Sequence, residues 1–195
     1  MDPLRKDIAP SSALLVMDIQ TSMMARLGEA NKDLISNLQA AIGTARAAAI
    51  PIIYVGVVFR KGYPDISLSN KAFSAVKLNN STLTGLEEPL TIYPAITPQP
   101  GDILVTKRRI SAFAGSDLEL VLRSLKVQHL VLTGYSTGGV VLSTLREAAD
   151  KDYTLSVLSD CCADADPEVH RVLLSKLFPR QAEVMTADEW AAGIK

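Results

Sequence analysis

The clearest indication of the fold is the segment His-Leu-Val-Leu-Thr-Gly-Tyr-Ser-Thr-Gly-Gly-Val, residues 129–140. It opens with an apolar run over 129–133, which predicts a buried β-strand. A glycine-rich turn then leads into residues 140–150, which we predict to be helical. A strand that passes through a tight turn into a helix is part of a βαβ unit, so the segment indicates an α/β protein.

Further short apolar runs predict strands over 13–17, 52–58, 103–106 and 155–159, and a sixth strand over 183–185. Predicted helices lie between them, over 31–49, 70–76 and 117–125, and another begins at residue 166. Alternating strands and helices imply parallel βαβ units with helices on both faces of the sheet. We therefore predict one domain over residues 1–195, a three-layer α/β/α fold with a mostly parallel, six-stranded, Rossmann-like sheet.

The composition excludes several classes of protein. Hydrophobic residues make up 48% of the chain and charged residues 21%, which argues against disorder. The formal net charge is −1, so we expect no nucleic-acid partner and no attraction to an anionic membrane. No apolar run approaches the roughly 20 residues that span a bilayer. Without a signal peptide, and with cysteines only at the adjacent positions 161 and 162, the chain reads as a cytoplasmic protein with free thiols.

Two charged residues follow predicted strands. Asp18 ends the first strand and Lys107 the third, and in parallel sheets ligands bind beyond the carboxyl ends of the strands. An aspartate and a lysine in one cleft could shuttle a proton or position a water. Taken singly, Asp18 could simply cap a turn, and Lys107 could belong to a solvated basic edge. The turn at 134–139 is equally open to two interpretations, a plain tight turn or a set of N–H groups that holds an oxyanion.

Four segments in order resemble the isochorismatase-like hydrolase superfamily, whose members are mostly cysteine hydrolases. They are the first strand with its continuation, residues 14–20, the second strand, residues 51–55, the lysine segment, residues 106–122, and the nucleophile segment, residues 131–148. The resemblance covers roughly residues 10–192. It implies an isochorismatase-like domain that acts on a small-molecule substrate.

In that family an aspartate, a lysine and a cysteine form the catalytic triad. Asp18 and Lys107 match the first two members, whereas Val140 stands where the family has its cysteine. The resemblance also implies a cis peptide bond between Tyr135 and Ser136, with the N–H groups of Ser136 and Val140 holding the oxyanion. The remaining predicted binding and pocket residues are Tyr135, Gly139, Gln20, Phe59 and Phe113.

Two branches of the family bear on the chemistry. The nicotinamidase branch binds zinc through paired histidines after the second strand, and residues 59–65 contain none, so we expect neither a metal nor another cofactor. Isochorismatases work without the cysteine, since their aspartate acts as an acid towards a vinyl ether. This chain is similar to them in keeping the aspartate and the lysine.

Three functional hypotheses remain open at this point. The leading one is a hydrolase that uses Asp18 as acid or base and forms no cysteine intermediate. The second is an inactive member that binds a metabolite or a partner protein. The third assigns the chemistry to Cys161 or Cys162, which follow the fifth predicted strand. Members of the superfamily commonly form dimers or tetramers, so we expect this protein to be a homo-oligomer of one of these sizes.

Overall fold

The computed structural model describes residues 11–24, 33–78, 86–87 and 89–194. Within them one six-stranded sheet forms from β1 (Ser12–Met17), β2 (Ile52–Val57), β3 (Ile103–Lys107), β4 (His129–Tyr135), β5 (Thr154–Ala163) and β6 (Glu183–Met185). The helices are α1 (Thr21–Met24), α2 (Leu34–Ala47), α3 (Ser74–Lys77), α4 (Leu118–Ser124), α5 (Leu142–Ala149), α6 (Pro167–Val172) and α7 (Ala187–Gly193). All neighbouring strands are parallel, in the order β3-β2-β1-β4-β5-β6.

The predicted parallel α/β sheet is confirmed, with differences at the ends of its elements. β5 runs to Ala163, past the predicted end at residue 159, and its pairing with β4 shifts register between Leu132 and Gly134. The helix predicted from residue 140 is preceded by a π-helical turn, Thr137–Val141. The helix predicted near 70–76 is a single turn, Ser74–Lys77, and the first residues of the helix predicted over 31–49 lie outside the described residues.

The sheet separates two apolar cores because its side chains alternate between the faces. On β1, Leu14 and Val16 join α2 and α7 on one face, where Trp190 is buried. Leu15 and Met17 face the other way, towards α4 and α5. This places helices on both sides of the sheet, as the alternation of strands and helices predicts.

The strand order reverses between β1 and β4, because the chain first builds outward through β2 and β3 and then returns to the other side of β1. Such a switch point leaves a crevice at the carboxyl ends of the two strands. Gly134 lies at this place with φ 144°, and a Cβ there would come within 2.3 Å of the Met17 carbonyl oxygen. Only glycine therefore lets β4 approach β1 this closely.

A buried histidine lies at the opposite end of the same two strands. Nδ1 of His129 is 2.9 Å from the Ser12 hydroxyl, and Nε2 is 2.9 Å from the Ser156 hydroxyl. Burial lowers the pKa of His129 to about 4. The ring is thus neutral at ordinary pH and joins three strands through its two nitrogens.

The described helices include none that is both long enough and apolar enough to cross a membrane.

Candidate active site

A buried ion pair forms at the carboxyl ends of β1 and β3. Asp18 follows β1 directly and Lys107 is the last residue of β3, so the lysine reaches past the end of β2 to meet the carboxylate. The Lys107 Nζ atom is 2.9 Å from Oδ2 of Asp18, and the two residues are 1% and 7% exposed. The structure thus brings together the two charged residues that the sequence predicted to share a cleft.

The lysine ammonium has three acceptors and the aspartate has one free oxygen. Besides Asp18, Nζ donates to the backbone carbonyls of Arg109 at 2.9 Å and Ile110 at 3.0 Å. These contacts account for the three N–H groups of an ammonium. Oδ1 of Asp18 is buried and has no hydrogen-bond partner among the residues that the structure describes. It is therefore the carboxylate oxygen that the lysine leaves unused.

Burial dominates the electrostatics of this pair. Removal from water raises the pKa of Asp18 above its usual range, although the adjacent Lys107 ammonium works in the opposite direction. A carboxyl group with a raised pKa is better matched to proton transfer near neutral pH than a solvated aspartate. The pair is therefore suited to acid–base chemistry as well as to holding a fixed orientation.

The second part of the site is the turn between β4 and α5. The peptide bond between Tyr135 and Ser136 is cis, as the resemblance implied. In the π-helical turn that follows, the N–H groups of Gly139 and Val141 both donate to the Ser136 carbonyl, at 3.1 and 3.2 Å. The Gly138 N–H donates to Oδ2 of Asp164 at 2.6 Å. The turn is thus held at its start by a carboxylate and by its own backbone.

Ser136 and Gly139 depend on one another. The Ser136 hydroxyl does not cap the helix that follows it. Its Oγ atom lies only 2.7 Å from the point where a Cβ on residue 139 would stand. Glycine at 139 therefore leaves room for the hydroxyl beside the first helical turn.

A cavity of about 420 Å³ joins the two parts of the site. Val140 lines it, yet the valine is 1% exposed and packs into the core, with no atom that could act as a nucleophile. The predicted residues that share this cavity are Asp18, Lys107, Tyr135, Ser136, Gly139 and Val140.

Sequence reasoning missed several lining residues. Asp164 faces the cavity because β5 continues to Ala163, and the residue after a strand is where such a group is expected. The predicted strand end at residue 159 hid this signal. Met23, Phe73 and Ile110 come from irregular segments, where no periodic pattern marks a side chain as lining a cavity.

Three predicted pocket residues, Gln20, Phe59 and Phe113, are not among the residues that line this cavity. Gln20 uses its side chain to pair with the Val57 backbone, donating to the carbonyl at 3.1 Å and accepting from the N–H at 2.9 Å. Phe59 packs edge-on against Phe73, behind the cavity wall. Phe113 stacks on another ring.

The two cysteines are likewise outside the cavity. Both are free and buried, and they point into the opposite cores of the sheet. Burial raises the pKa of both thiols, that of Cys162 to about 12. Such thiols hold their protons and are poor nucleophiles. No group of three His, Cys, Asp or Glu side chains suited to a metal ion occurs in the described part of the chain.

Comparison with known proteins identifies relatives of this chain by sequence. The sequence model of the isochorismatase domain matches residues 12–189. The ureidoacrylate amidohydrolase RutB of Stutzerimonas stutzeri (strain A1501) is 32% identical over 180 residues, 82% of this chain and 73% of that protein. The RutB of Enterobacter sp. (strain 638) is 30% identical over 181 residues, 80% of this chain and 77% of that protein.

Solved structures agree with the sequence relatives. An isochorismatase family protein from Burkholderia thailandensis superposes with a TM-score of 0.81 at 26% identity, covering 95% of this chain and 96% of that one. A cysteine hydrolase from Pseudomonas syringae pv. phaseolicola 1448A gives a TM-score of 0.84 at 24% identity, covering 95% and 93%. The second likeness shows the shared fold alone.

Proposed function

This chain belongs to the isochorismatase family, and from that premise we propose that it hydrolyses a carbon–nitrogen bond of a small amide or ureido compound without a thiol nucleophile. The names of the two RutB relatives support this bond type, since both act on ureidoacrylate as amidohydrolases. The observation that carries the cysteine-free mechanism is that Asp18, paired with Lys107 through Oδ2, lines a cavity whose nucleophile position holds Val140.

The proposed reaction uses water as the nucleophile. Asp18 takes one proton through Oδ1 while the water oxygen bonds to the carbonyl carbon. The N–H groups of Ser136 and Val140 stabilise the negative charge on the carbonyl oxygen. The carbon–nitrogen bond then breaks, and Asp18 returns its proton to the leaving nitrogen. Lys107 holds the carboxylate in place throughout and does not exchange a proton.

A vinyl ether is the second candidate substrate. The raised pKa of Asp18 favours it, because a carboxyl group that keeps its proton can donate it to a vinyl carbon. Water then adds to the resulting cation and returns a proton to Asp18. The ether bond breaks as the hydroxyl proton of the hemiketal passes to the leaving oxygen. Both reactions use the same carboxyl group and differ in whether it starts as base or as acid.

The test is turnover of ureidoacrylate and isochorismate by the full chain and by two variants. In Asp18→Asn we expect the rate to fall by about 10²–10⁴-fold, the usual contribution of a general acid or base. The control replaces both buried thiols, Cys161→Ser with Cys162→Ser, and should keep the wild-type rate. Intact-mass spectrometry during turnover should show no covalent adduct.

Each alternative has its own result. Equal rates for wild type and Asp18→Asn would remove Asp18 from the mechanism. Loss of activity in the double serine variant, with the fold intact, would return the chemistry to the cysteines. Tight binding of either compound without turnover would favour the competing function, a non-catalytic member that binds a metabolite or a partner.

We also infer a cytoplasmic location and a homo-oligomeric state. The two free, buried thiols support a reducing compartment. Leu104, half exposed on the edge strand β3, and Leu120, 71% exposed on α4, are apolar side chains that a second copy of the chain could cover.

A further inference from the structure

The loop after β3 is what completes the surroundings of the Lys107 ammonium. Its backbone carbonyls at Arg109 and Ile110 accept two of the three N–H groups, and Asp18 accepts the third. A carbonyl is a useful partner only if its backbone stays in place. The orientation of the lysine towards Asp18 therefore depends on whatever holds residues 109–112.

Helix α5 holds this loop through two side chains one helical turn apart. The Thr144 hydroxyl accepts a hydrogen bond from the Ala112 N–H at 2.9 Å, and both residues are fully buried. The Ser111 hydroxyl donates to Oε2 of Glu147 at 2.5 Å. Residues three apart on a helix share a face, so α5 presents both acceptors to the loop together.

We propose that Thr144 and Glu147 are positioning residues for the Asp18–Lys107 pair. They act through the loop. Residues 109 and 110 provide the carbonyls that bind the ammonium, and residues 111 and 112 provide the groups that α5 binds. Neither side chain is among the residues that line the cavity, so each acts through the loop and not on the substrate. The inference rests on the proposed function only in its link to turnover; its effect on the ion pair stands separately.

The effect should reach Asp18 as a change in its surroundings. If the loop retreats, the ammonium loses two acceptors and can turn away from the carboxylate. Lys107 is the charged group in contact with Asp18, and Asp164 is the other carboxylate that lines the cavity. Burial raises the pKa of Asp18 and the Lys107 ammonium lowers it. A weaker contact between the two should therefore raise that pKa, so that the carboxyl group holds its proton to higher pH.

The experiment follows the Asp18 carboxyl signal by NMR across a pH titration in five proteins. Thr144→Val keeps the shape of threonine but removes the acceptor, whereas Thr144→Ser keeps it. Glu147→Ala removes the second contact from a less buried position. The matched control is Thr133→Val, which deletes another buried hydroxyl, one that donates to the Leu15 carbonyl at 2.8 Å.

In Thr144→Val and Glu147→Ala we expect the pKa of Asp18 to rise by about one pH unit, within the range that a neighbouring charge produces. Thr144→Ser and Thr133→Val should match the wild type. With ureidoacrylate, Thr144→Val and Glu147→Ala should lose about tenfold in kcat with little change in KM, since neither side chain lines the cavity.

An unchanged Asp18 pKa in folded Thr144→Val and Glu147→Ala would overturn the inference, as would an equal rise in Thr133→Val. Circular dichroism establishes that each variant is folded, and Glu147→Ala decides the matter if Thr144→Val does not fold. Failure of the proposed function is a separate result, full activity of Asp18→Asn, and leaves the titration readout intact.

Discussion

Lys107 reaches past the end of β2 to place its Nζ atom 2.9 Å from Oδ2 of Asp18, and neither side chain is more than 9% exposed. Each charge thereby limits the cost of burying the other. The pair is consequently a single unit, and a change to one member should be felt at the other.

Lys107→Met should raise the pKa of Asp18 further, because burial would no longer meet an opposing positive charge. Removing one member of a buried pair typically costs on the order of 3–5 kcal/mol of unfolding free energy. NMR titration of the carboxyl group and urea unfolding measure the two effects. A useful control is Lys77→Met, which removes an ammonium that donates to the Ile66 carbonyl and is not the ion-pair partner of Asp18. An Asp18 pKa near the ordinary value of about 3.9 in both wild type and Lys107→Met would contradict the shared site.

Restoring the nucleophile by Val140→Cys should give a thiol with a pKa below the reference of about 8.5, since the start of a helix and Lys107 both favour a thiolate. The rate of alkylation as a function of pH reports this value. Wild type is the background control, because its two cysteines are buried with raised pKa values. A thiol that titrates at or above the free value would mean that the turn does not favour an anion.

Gly139→Ala should disturb the Ser136 hydroxyl, since the new methyl group would stand 2.7 Å from Oγ. The hydroxyl can rotate, so we expect a stability loss of no more than about 1 kcal/mol. In a Ser136→Ala background the nearest atom is the residue 136 Cβ at 4.0 Å, and the same substitution should cost nothing. Unfolding of the two single variants and the double variant measures this coupling; purely additive effects would show that the hydroxyl is not where the structure places it.

Stability should fall in acid partly through His129. Its pKa is about 4 when folded and 6.5 when unfolded, so the unfolded chain binds more protons between these values. The contribution is fully present above pH 6.5 and is lost as the pH falls towards 4, a total of about 3 kcal/mol. Urea unfolding at a series of pH values should therefore show a shallower acid dependence in His129→Gln than in wild type. Parallel curves for the two proteins would contradict a neutral, buried ring.

Light scattering should find a dimer or a tetramer at micromolar concentration. Leu104→Lys with Leu120→Lys should shift the population towards the monomer if β3 and α4 lie in the interface. The control is Leu68→Lys, at an exposed leucine that belongs to neither element. A single species of 21.0 kDa in the wild type would rule the oligomer out.

The sequence was sufficient to predict the fold, because short apolar runs that alternate with helical segments are the pattern of a parallel sheet. The strand over 183–185 was predicted with the ends that the structure shows. It was also sufficient to bring Asp18 and Lys107 together, because each stands at the carboxyl end of a buried strand in one parallel sheet. The cis bond at Tyr135–Ser136 followed from the resemblance and not from the composition of the turn.

The rest depended on partners that no local pattern reveals. Gln20 comes soon after β1, as a site residue would, but its side-chain amide binds the backbone N–H and carbonyl of Val57 on β2. Cys161 and Cys162 follow an apolar run, but the bulged pairing with β4 carries β5 beyond them and turns them into the two cores. Asp164 was missed for the same reason, because the end of a strand is set by its neighbour as well as by its own residues.

The position predicted for a nucleophile and the Asp18–Lys107 pair lie on different elements. Position 140 belongs to the turn that opens α5, whereas Asp18 and Lys107 stand at the ends of two strands. A substitution at position 140 therefore leaves the Asp18–Lys107 pair in its place. The chemical character of this part of the cavity wall can change at one residue while the buried charges and the sheet that carries them stay as they are.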